Sequence, residues 1–334
     1  MPKTYIIYYT WPNTSSNHAG MSYLVKELKK KSLNNIKLIE IPKSINRWPL
    51  IFQRLHFYVL AFSLKIFLAR SGKILFVEYL GILSGNQTGL AIKLRKWGIK
   101  NKFIGLVHLP GNHLIELYGN MEDIKKGTDA VDQILVFGSS LVSFFNDLGY
   151  GNKVTKTFHY VDTNYYKPSS ESKPEKLQVI HMGSIKRNFD KLREIVNACP
   201  EINFHICQGF RDLSEYFKNL SNVKLYGFLP EADLLMLMQS CHVSLSIIDD
   251  TVGSNVICTS MACGLVNVVS QVGSIRDYCN NDNSILCTDN NEFVSALNKL
   301  NSDKSLLKKL SNESLEYSNN LSLDNSISFF CNEL

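Results

Sequence analysis

The chain has 334 residues, of which 45% are hydrophobic and 20% are charged. This composition is typical of globular proteins and excludes disordered and fibrous chains, and the length predicts two domains. The formal net charge of +6 is divided unevenly: residues 1–168 carry 22 basic and 10 acidic side chains, whereas residues 169–334 carry 14 and 20. A basic first half predicts an anionic partner, which could be a membrane surface, a phosphate-bearing ligand or nucleic acid.

The first half alternates short β-branched or aromatic runs with helical patterns. Strands are predicted over residues 4–9, 36–41, 73–77, 103–108 and 133–137. Helices are predicted between them, over residues 21–31, 49–70, 89–97 and 114–126. This alternation is typical of a mostly parallel sheet with helices on both faces.

A second alternation follows a polar, proline-bearing segment, residues 168–176, which reads PSSESKPEK and is predicted to link two domains. Strands are predicted over residues 177–182, 203–207, 223–226, 243–247, 266–270 and 284–287. Helices are predicted over residues 190–198, 214–219, 231–240, 254–263 and 291–300, and along the tail from 303 to 330.

The two alternations together predict an α/β architecture of two Rossmann-like domains. The first spans residues 1–168 and the second residues 169–314, and a C-terminal helix over about 315–334 is expected to pack back on the first. Ligands of such sheets bind outside the carboxyl ends of the strands. Two domains that face each other would therefore form one interdomain cleft.

The longest apolar stretch is residues 48–69, which Arg54, His56 and Lys65 interrupt, so it is a poor transmembrane helix. As a helix at roughly 100° per residue, it would place Arg47, Arg54 and Lys65 in one cationic stripe, with aromatic and aliphatic side chains around much of the rest. Two interpretations stay open. Either the helix packs on the sheet with this stripe in water, or the stripe contacts an anionic membrane or the acceptor.

Eight cysteines lie scattered along the chain, with no CxxC pair and no zinc-ribbon spacing. The first residues lack a signal-peptide pattern, since a strand-like run begins at Thr4. We therefore expect reduced thiols and a cytoplasmic protein.

The turn over residues 249–256, DDTVGSNV, lies between a predicted strand and a predicted helix. Gly253 permits close approach of the backbone to a ligand, and Ser254 and Asn255 are favourable helix N-caps. The free N–H groups of the helix start suit phosphate or sugar oxygens. A normal capped helix without a ligand explains the same residues equally well.

Two further turns have a similar position. Residues 183–188, GSIKRN, carry Lys186 and Arg187 where a phosphate would bind, although two solvated cations are an equally good interpretation. Gly20 lies at the start of the first predicted helix. The chain has no G-x-G-x-x-G and no P-loop motif, which disfavours dinucleotide oxidoreductases and P-loop NTPases.

His108 follows the strand-like run FIGLV, where a polar side chain would lie near the ligand crevice, and Glu78 holds a similar position after another run. For a single histidine, a hydrogen-bonded core position is the more common outcome. Charge alone would permit nucleic-acid binding, but no recognition motif supports it, so nucleic acid is not an expected partner.

Four segments resemble the family-4, or group 1, nucleotide-sugar glycosyltransferases of the GT-B fold. Residues 159–168, HYVDTNYYKP, are similar to the family's N-G-V-D-T-x-x-F-x-P. Residues 261–270, MACGLVNVVS, are similar to M-A-C-G-x-P-V-V-x-S, and residues 272–277, VGSIRD, to V-G-G-x-x-E. Residues 223–247 fit the family's pattern before the donor loop. The resemblance covers about residues 130–300 and is weaker before them.

The chain departs from this family at the donor loop. The two glutamates of Glu-x7-Glu are replaced by Thr251 and Thr259, and Asp250 or Asp249 is expected to take over the contact of the first glutamate with the donor sugar. At the family's phosphate-binding Arg the chain has Ser184, so the nearest cations are those at positions 186 and 187.

The resemblance implies the following roles. A nucleotide-diphosphate sugar, taken to be a UDP-sugar, lies mainly on the second domain, and His108 and Asp250 are the expected catalytic residues. His108 is expected to stabilise the oxocarbenium-like sugar as a polar contact rather than as a base. The reaction retains anomeric configuration and needs no metal or other cofactor. The expected donor-binding residues are Gly20, Gly183, Ser184, Lys186, Arg187, Phe228, Leu229, Asp249, Thr251, Gly253, Ser254, Asn255 and Thr259.

We therefore predict a retaining glycosyltransferase that acts on a glycan acceptor, expected to be lipid-linked, in the synthesis of a surface polysaccharide such as O-antigen or capsule. It is expected in the cytoplasm or peripherally on the inner face of the cell membrane. The alternative is a non-catalytic GT-B module that binds a glycan or a partner glycosyltransferase, which the two missing glutamates favour. A nucleotide-sugar epimerase is disfavoured, because no Glu/His cluster lies near the sugar site.

Overall fold

The computed structural model describes residues 3–10, 17–31, 35–42, 48–68, 72–81, 87–183 and 187–334. The chain divides into two compact units. Unit 1 comprises Met1–Phe158 together with Ser326–Leu334, and unit 2 comprises His159–Asn325.

Unit 1 contains a parallel sheet of six strands in the order β2-β1-β3-β4-β5-β6. In the register of the central strands, Ile6 is opposite Leu38 on one side and Leu75 on the other. The four inner strands form from predicted apolar runs because their side chains are buried on both faces of the sheet. The strands are β1 Thr4–Thr10, β2 Ile36–Pro42, β3 Lys73–Tyr79, β4 Lys102–Val107, β5 Gln133–Val136 and β6 Val154–Lys156.

The helices of unit 1 follow the predicted alternation, with two corrections, of which the first is the helix Ser139–Asp147, which was not predicted. The helix predicted over residues 114–126 is two helices, since Gly119 adopts a left-handed φ of 69° and ends the first one. Asn120 then caps the second helix by accepting a hydrogen bond from the Asp123 N–H at 2.8 Å. The helices are α1 Met21–Lys31, α2 Leu50–Phe67, α3 Gln87–Lys96, α4 Gly111–Tyr118, α5 Met121–Asp129 and α6 Ser139–Asp147.

Unit 2 contains a second six-stranded parallel sheet, in the order β12-β11-β10-β7-β8-β9. The strands are β7 Gln178–His181, β8 Asn203–Gly209, β9 Val223–Gly227, β10 Val243–Ser246, β11 Val266–Ser270 and β12 Ser284–Cys287. The helices are α7 Phe189–Asn197, α8 Glu231–Ser240, α9 Asn255–Ala262, α10 Asn290–Ser302, α11 Lys304–Ser318 and α12 Leu323–Glu333, whose last turns belong to unit 1.

The helix predicted over residues 214–219 is wrong, because the segment forms turns. Asp212 explains this difference. Its carboxylate accepts hydrogen bonds from both the N–H and the hydroxyl of Ser214, at 2.9 and 2.5 Å. A side chain that bonds to the backbone two residues ahead competes with helix formation.

The division between the units lies at 158/159 rather than at the predicted 168/169. The segment after Phe158 packs on unit 2: the His159 N–H donates to the Tyr278 hydroxyl at 3.0 Å, and the Tyr166 hydroxyl donates to Glu231 at 2.7 Å. The segment that returns to unit 1 is 326–334 rather than about 315–334. It is held there by Lys73, whose ammonium donates to the Glu333 carbonyl oxygen at 3.1 Å.

Candidate functional site

The chain order in the sheet of unit 2 reverses beside β7. The strands β8 and β9 lie on one side of β7, whereas β10 returns to pair with its other side. Such a reversal leaves a crevice at the carboxyl ends of the two central strands, where ligands of doubly wound sheets bind. Two of the segments that the sequence predicted as functional follow these strands. Residues 183–188, of which 184–186 lie outside the described residues, follow β7, and residues 249–256 follow β10.

Arg187 is held at this crevice by its backbone and its side chain. It forms an antiparallel bridge with Ile248, and its Nε donates to the Met182 carbonyl oxygen at 3.0 Å. Its guanidinium lies over Gly183, where a Cβ would be 2.9 Å from Nη2. Burial lowers the pKa of Arg187 to about 10, so the group is a fixed cation at neutral pH. The predicted residues Ser184 and Lys186 lie outside the described residues.

His181, at the end of β7, was not predicted from the sequence. Its Nδ1 lies 3.0 Å from the Leu245 carbonyl oxygen, and its ring is buried. Burial, and then the charge of Arg187, lower the pKa of His181 to about 3. The ring is therefore neutral, so Arg187 provides the positive charge between these two residues.

The loop after β10 is shaped by hydrogen bonds around Thr251. The Thr251 N–H donates to Asp250 Oδ1 at 2.7 Å, and the Gly253 N–H donates to the Thr251 hydroxyl oxygen at 3.0 Å. The Ser274 N–H donates to the Thr251 carbonyl oxygen at 2.8 Å, which joins this loop to the one after β11. Asp249 is exposed and accepts a 3.4 Å hydrogen bond from Asn188. The hydroxyl of Thr251 is thus hydrogen-bonded within the loop.

Two glycines allow these loops to pack together. Gly253 has a φ of 102°, and a Cβ on it would lie 2.3 Å from the ring of Tyr278. Gly273 has a φ of 52°, and a Cβ on it would lie 2.2 Å from the carbonyl oxygen of Thr251 and 2.6 Å from Oδ1 of Asp250. Gly273 was not predicted as a site residue, although it lies in the segment similar to V-G-G-x-x-E.

The N-terminus of α9 lies directly after the loop. Ser254 is its N-cap and accepts a hydrogen bond from the Val256 N–H at 3.1 Å, as predicted. The amide oxygen of Asn255 is buried, and none of the described residues donates to it. The hydroxyl of Thr259 donates to the Asn255 carbonyl oxygen at 2.8 Å. Thr259 therefore bonds within its own helix, and the helix start offers N–H groups and a positive dipole end.

An exposed aromatic pair lies at the carboxyl ends of β8 and β9. The rings of Phe210 and Phe228 are stacked, with centroids 4.8 Å apart and planes 12° apart. Phe210 is 80% exposed and Phe228 is 45% exposed, whereas Leu229 next to it is partly buried. Phe228 was predicted and Phe210 was not, because Phe210 belongs to no motif. Exposed rings at a ligand-binding edge are suited to stacking on a nucleobase.

Unit 1 brings Tyr9, Glu78 and His108 to the carboxyl ends of β1, β3 and β4, respectively. His108 is partly buried, and its Nε2 lies 2.5 Å from the Val77 carbonyl oxygen and 3.8 Å from Oε2 of Glu78. An Nε2–H that donates to this carbonyl leaves Nδ1 as the acceptor of the ring. Burial, and then the charge of Glu78, raise the pKa of Tyr9. His108 is thus neither a fully buried core histidine nor an isolated surface group.

The remaining predicted residues of unit 1 are more scattered. Gly20 precedes α1 with a φ of 90°, and no described atom lies within 4 Å of where its Cβ would be. Arg54 and Lys65 are exposed on α2, whereas Arg47 lies outside the described residues. Helix α2 packs on unit 1 through one face, as the first interpretation expects, but its opposite face is apolar and exposed.

Neither a metal cluster nor a disulfide is present in the part of the chain that the structure describes. No three His, Cys, Asp or Glu side chains there converge to hold a metal ion. The eight cysteines are free, and burial raises the pKa of thiols such as Cys207, to about 12.

Residues 176–303 match the family model described as glycosyl transferases group 1. This segment is thus similar to the group 1 glycosyltransferases. It contains β7 to β12 and therefore the loops that carry Arg187, Asp250 and the start of α9. No curated protein matches the chain.

Solved structures match over almost the whole chain. Sucrose-phosphate synthase from Thermosynechococcus elongatus has a TM-score of 0.80 at 11% identity, covering 99% of this chain and 98% of that one. Anabaena HepE in complex with UDP and glucose has a TM-score of 0.75 at 11% identity, covering 100% of this chain and 99% of that one. Trehalose-6-phosphate synthase from Burkholderia multivorans has a TM-score of 0.74 at 11% identity, covering 99% of this chain and 97% of that one. The predicted α/β GT-B fold is confirmed.

Proposed function

We propose that the protein transfers a sugar from a nucleotide-diphosphate sugar, a UDP-sugar, to a glycan acceptor, with retention of anomeric configuration and without a metal ion. The observation that carries the proposal is the position of Arg187. This cation lies at the strand-order reversal of unit 2, beside the loop that leads into α9, and within the segment that matches the group 1 glycosyltransferases. HepE, a structural neighbour, was solved with UDP and with UDP-glucose, which supports the choice of nucleotide.

The chemistry requires stabilisation of negative charge on the departing diphosphate. As the bond from the anomeric carbon to the phosphate oxygen breaks, the charge grows on oxygens that Arg187 and the N–H groups at the start of α9 would contact. Both are fixed before the reaction, because Arg187 is tied to Met182 and Ser254 caps the helix. The stacked pair of Phe210 and Phe228 would support the uracil ring.

For the transferred sugar we assign two contacts. Asp250 is partly exposed, and its second carboxylate oxygen remains for a sugar hydroxyl after Oδ1 has accepted the Thr251 N–H. His108 is assigned as a polar contact that stabilises the oxocarbenium-like sugar, with Nε2 occupied by the Val77 carbonyl oxygen. We place the reaction on the cytoplasmic side of a membrane, on a lipid-linked glycan of a surface polysaccharide.

A second candidate function is a GT-B module that binds a glycan or a partner glycosyltransferase without catalysis. It is favoured by the hydroxyls of Thr251 and Thr259, which replace the two motif glutamates and are bonded inside the loop and the helix. Binding of a nucleotide alone would not exclude it.

Two measurements test these functions in sequence. A thermal-shift screen with UDP, GDP, ADP and CMP should give a selective increase in Tm with UDP, since a ligand at about 100 times its Kd stabilises by about 2.7 kcal/mol. A UDP-sugar that shifts Tm is then incubated with lipid-linked glycan extracts, and UDP release is measured. Absence of a shift with every nucleotide would overturn both the donor site and the transferase. A shift without acceptor-dependent UDP release would favour the non-catalytic module.

A further inference from the structure

Helix α2 packs on unit 1 through one narrow face. Its buried side chains are Gln53, Phe57, Ala61 and Leu64. The hydroxyl of Tyr5 in β1 donates to the carbonyl oxygen of Phe67 at 3.2 Å, which fixes the end of the helix to the sheet. The helix is therefore attached to unit 1 along its length.

The opposite face of α2 is apolar and exposed. Ile51 is 72% exposed, and Phe62 and Ile66 are 54% and 57% exposed. At roughly 100° per residue these side chains form one continuous stripe with other exposed apolar residues. This outer face consists of Ile51, Phe52, Leu55, Val59, Phe62 and Ile66. A contiguous apolar surface of this kind marks a site of contact with another molecule or a membrane.

Cations and interfacial aromatic residues border this outer face on one side. Lys93 in α3 lies with its Nζ 4.5 Å from the centre of the Tyr58 ring, and Lys65 lies 5.5 Å from that of Trp97. Arg54 is exposed on the same flank of α2. Neither α2 nor α3 contains an acidic residue. Trp and Tyr prefer the boundary between lipid and water, and Lys and Arg extend to lipid phosphates.

We propose that α2 lies flat in the headgroup region of an anionic bilayer, with the outer face among the acyl chains and with Arg54, Lys65 and Lys93 on lipid phosphates. This proposal does not depend on the transferase activity. The helix is about 27 Å long, and by length and composition alone it could cross a bilayer. The attachment of its other face to unit 1 instead favours a position in the plane of the membrane. A second copy that paired antiparallel on the same face would bring two identical cationic borders together, which opposes that arrangement, whereas an anionic bilayer complements the border.

Vesicle flotation of the full chain tests the proposal. The protein should float with phosphatidylcholine vesicles that contain about 30% phosphatidylglycerol at low salt, and much less with phosphatidylcholine alone or at about 0.5 M salt. The double variant Phe62→Ser/Ile66→Ser should bind more than about tenfold more weakly. Arg54→Gln/Lys65→Gln should lose roughly 25-fold on anionic vesicles, at about fivefold for each charge. Met236→Ser, an exposed apolar change in α8 of unit 2, should bind like the wild type.

Two further readouts distinguish the outcomes. Tryptophan fluorescence should be quenched by brominated lipids, because Trp97 packs beside α2 and Trp48 precedes it. The UDP-induced shift in Tm should persist in the variants, which separates this surface from the donor site. The proposal is overturned by absence of flotation at low salt. It is equally overturned by a wild-type dimer in light scattering that Phe62→Ser/Ile66→Ser converts to a monomer, since a second copy would then cover the outer face.

Discussion

Replacement of Gly273 by alanine should damage both the stability of unit 2 and nucleotide binding. A Cβ at this position would lie 2.2 Å from the Thr251 carbonyl oxygen, a backbone atom that cannot turn away as a flexible side chain would. The left-handed φ of 52° costs an alanine about 1 kcal/mol, and relief of the contact costs about 2 kcal/mol more. We therefore expect a loss of about 3 kcal/mol in the free energy of unfolding.

Gly209→Ala is the matched control in the same unit. Gly209 has a φ of 64°, but no described atom lies within 4 Å of its Cβ position. The free energy of unfolding of this variant should fall by only about 1 kcal/mol. Comparison of the two alanine variants therefore separates the cost of backbone strain from the cost of the steric contact. Urea denaturation followed by far-ultraviolet circular dichroism gives both free energies.

The same Gly273→Ala variant should lose the UDP-induced shift in Tm. Movement of Thr251 would displace Asp250 and the start of α9, which the loop positions. If Gly273→Ala is as stable as Gly209→Ala and binds UDP like the wild type, the packing of these two loops and their role in the donor site are refuted.

Three other predictions follow from the same site. Arg187→Gln should weaken UDP binding by roughly 10- to 100-fold in calorimetry and leave uridine binding unchanged, because only UDP carries the negative charge that the guanidinium would contact. An equal loss of affinity for both ligands would contradict this role. Phe210→Ala and Phe228→Ala should each cost about 1–3 kcal/mol of affinity for UDP and for uridine alike, since both ligands carry the base; unchanged uridine affinity would argue against stacking. The pKa of His181 is lowered to about 3, so the unfolded state binds the proton more readily than the folded state. The free energy of unfolding should therefore fall by about 1 kcal/mol for each pH unit as pH decreases from about 6 to 4. In urea denaturation His181→Gln should flatten this part of the pH profile, and an unchanged slope would assign the loss to other groups.

Most of the strands could be predicted because buried parallel strands leave continuous apolar runs in the sequence. The strand at 266–270 has the predicted bounds. Strand β6 was missed, since Val154–Lys156 has only three residues and no such run. The division of residues 114–126 into two helices could have been found, because Gly119 is a typical helix stop and Asn120 a typical N-cap.

The positions of the site loops were predictable, but their internal bonds were not. A glycine and N-cap residues between a strand and a helix mark the loop after β10 from the sequence alone. The hydroxyls of Thr251 and Thr259 are bonded within the loop and the helix, and such bonds depend on the folded backbone. Likewise, the apolar pattern of α2 predicts its faces but not which of them unit 1 covers, so the exposed outer face became visible only in the structure.

Hydrogen–deuterium exchange with and without UDP tests the central claim most directly, because it locates the nucleotide on the chain. The account predicts slower exchange at the carboxyl edge of the sheet of unit 2, in peptides that cover residues 187–191, 249–259 and 271–278. The helices at 290–302 and 304–318 serve as the internal reference and should not change. Protection confined to other segments, or absence of protection at saturating UDP, would contradict a donor site built on Arg187, the loop after β10 and the start of α9.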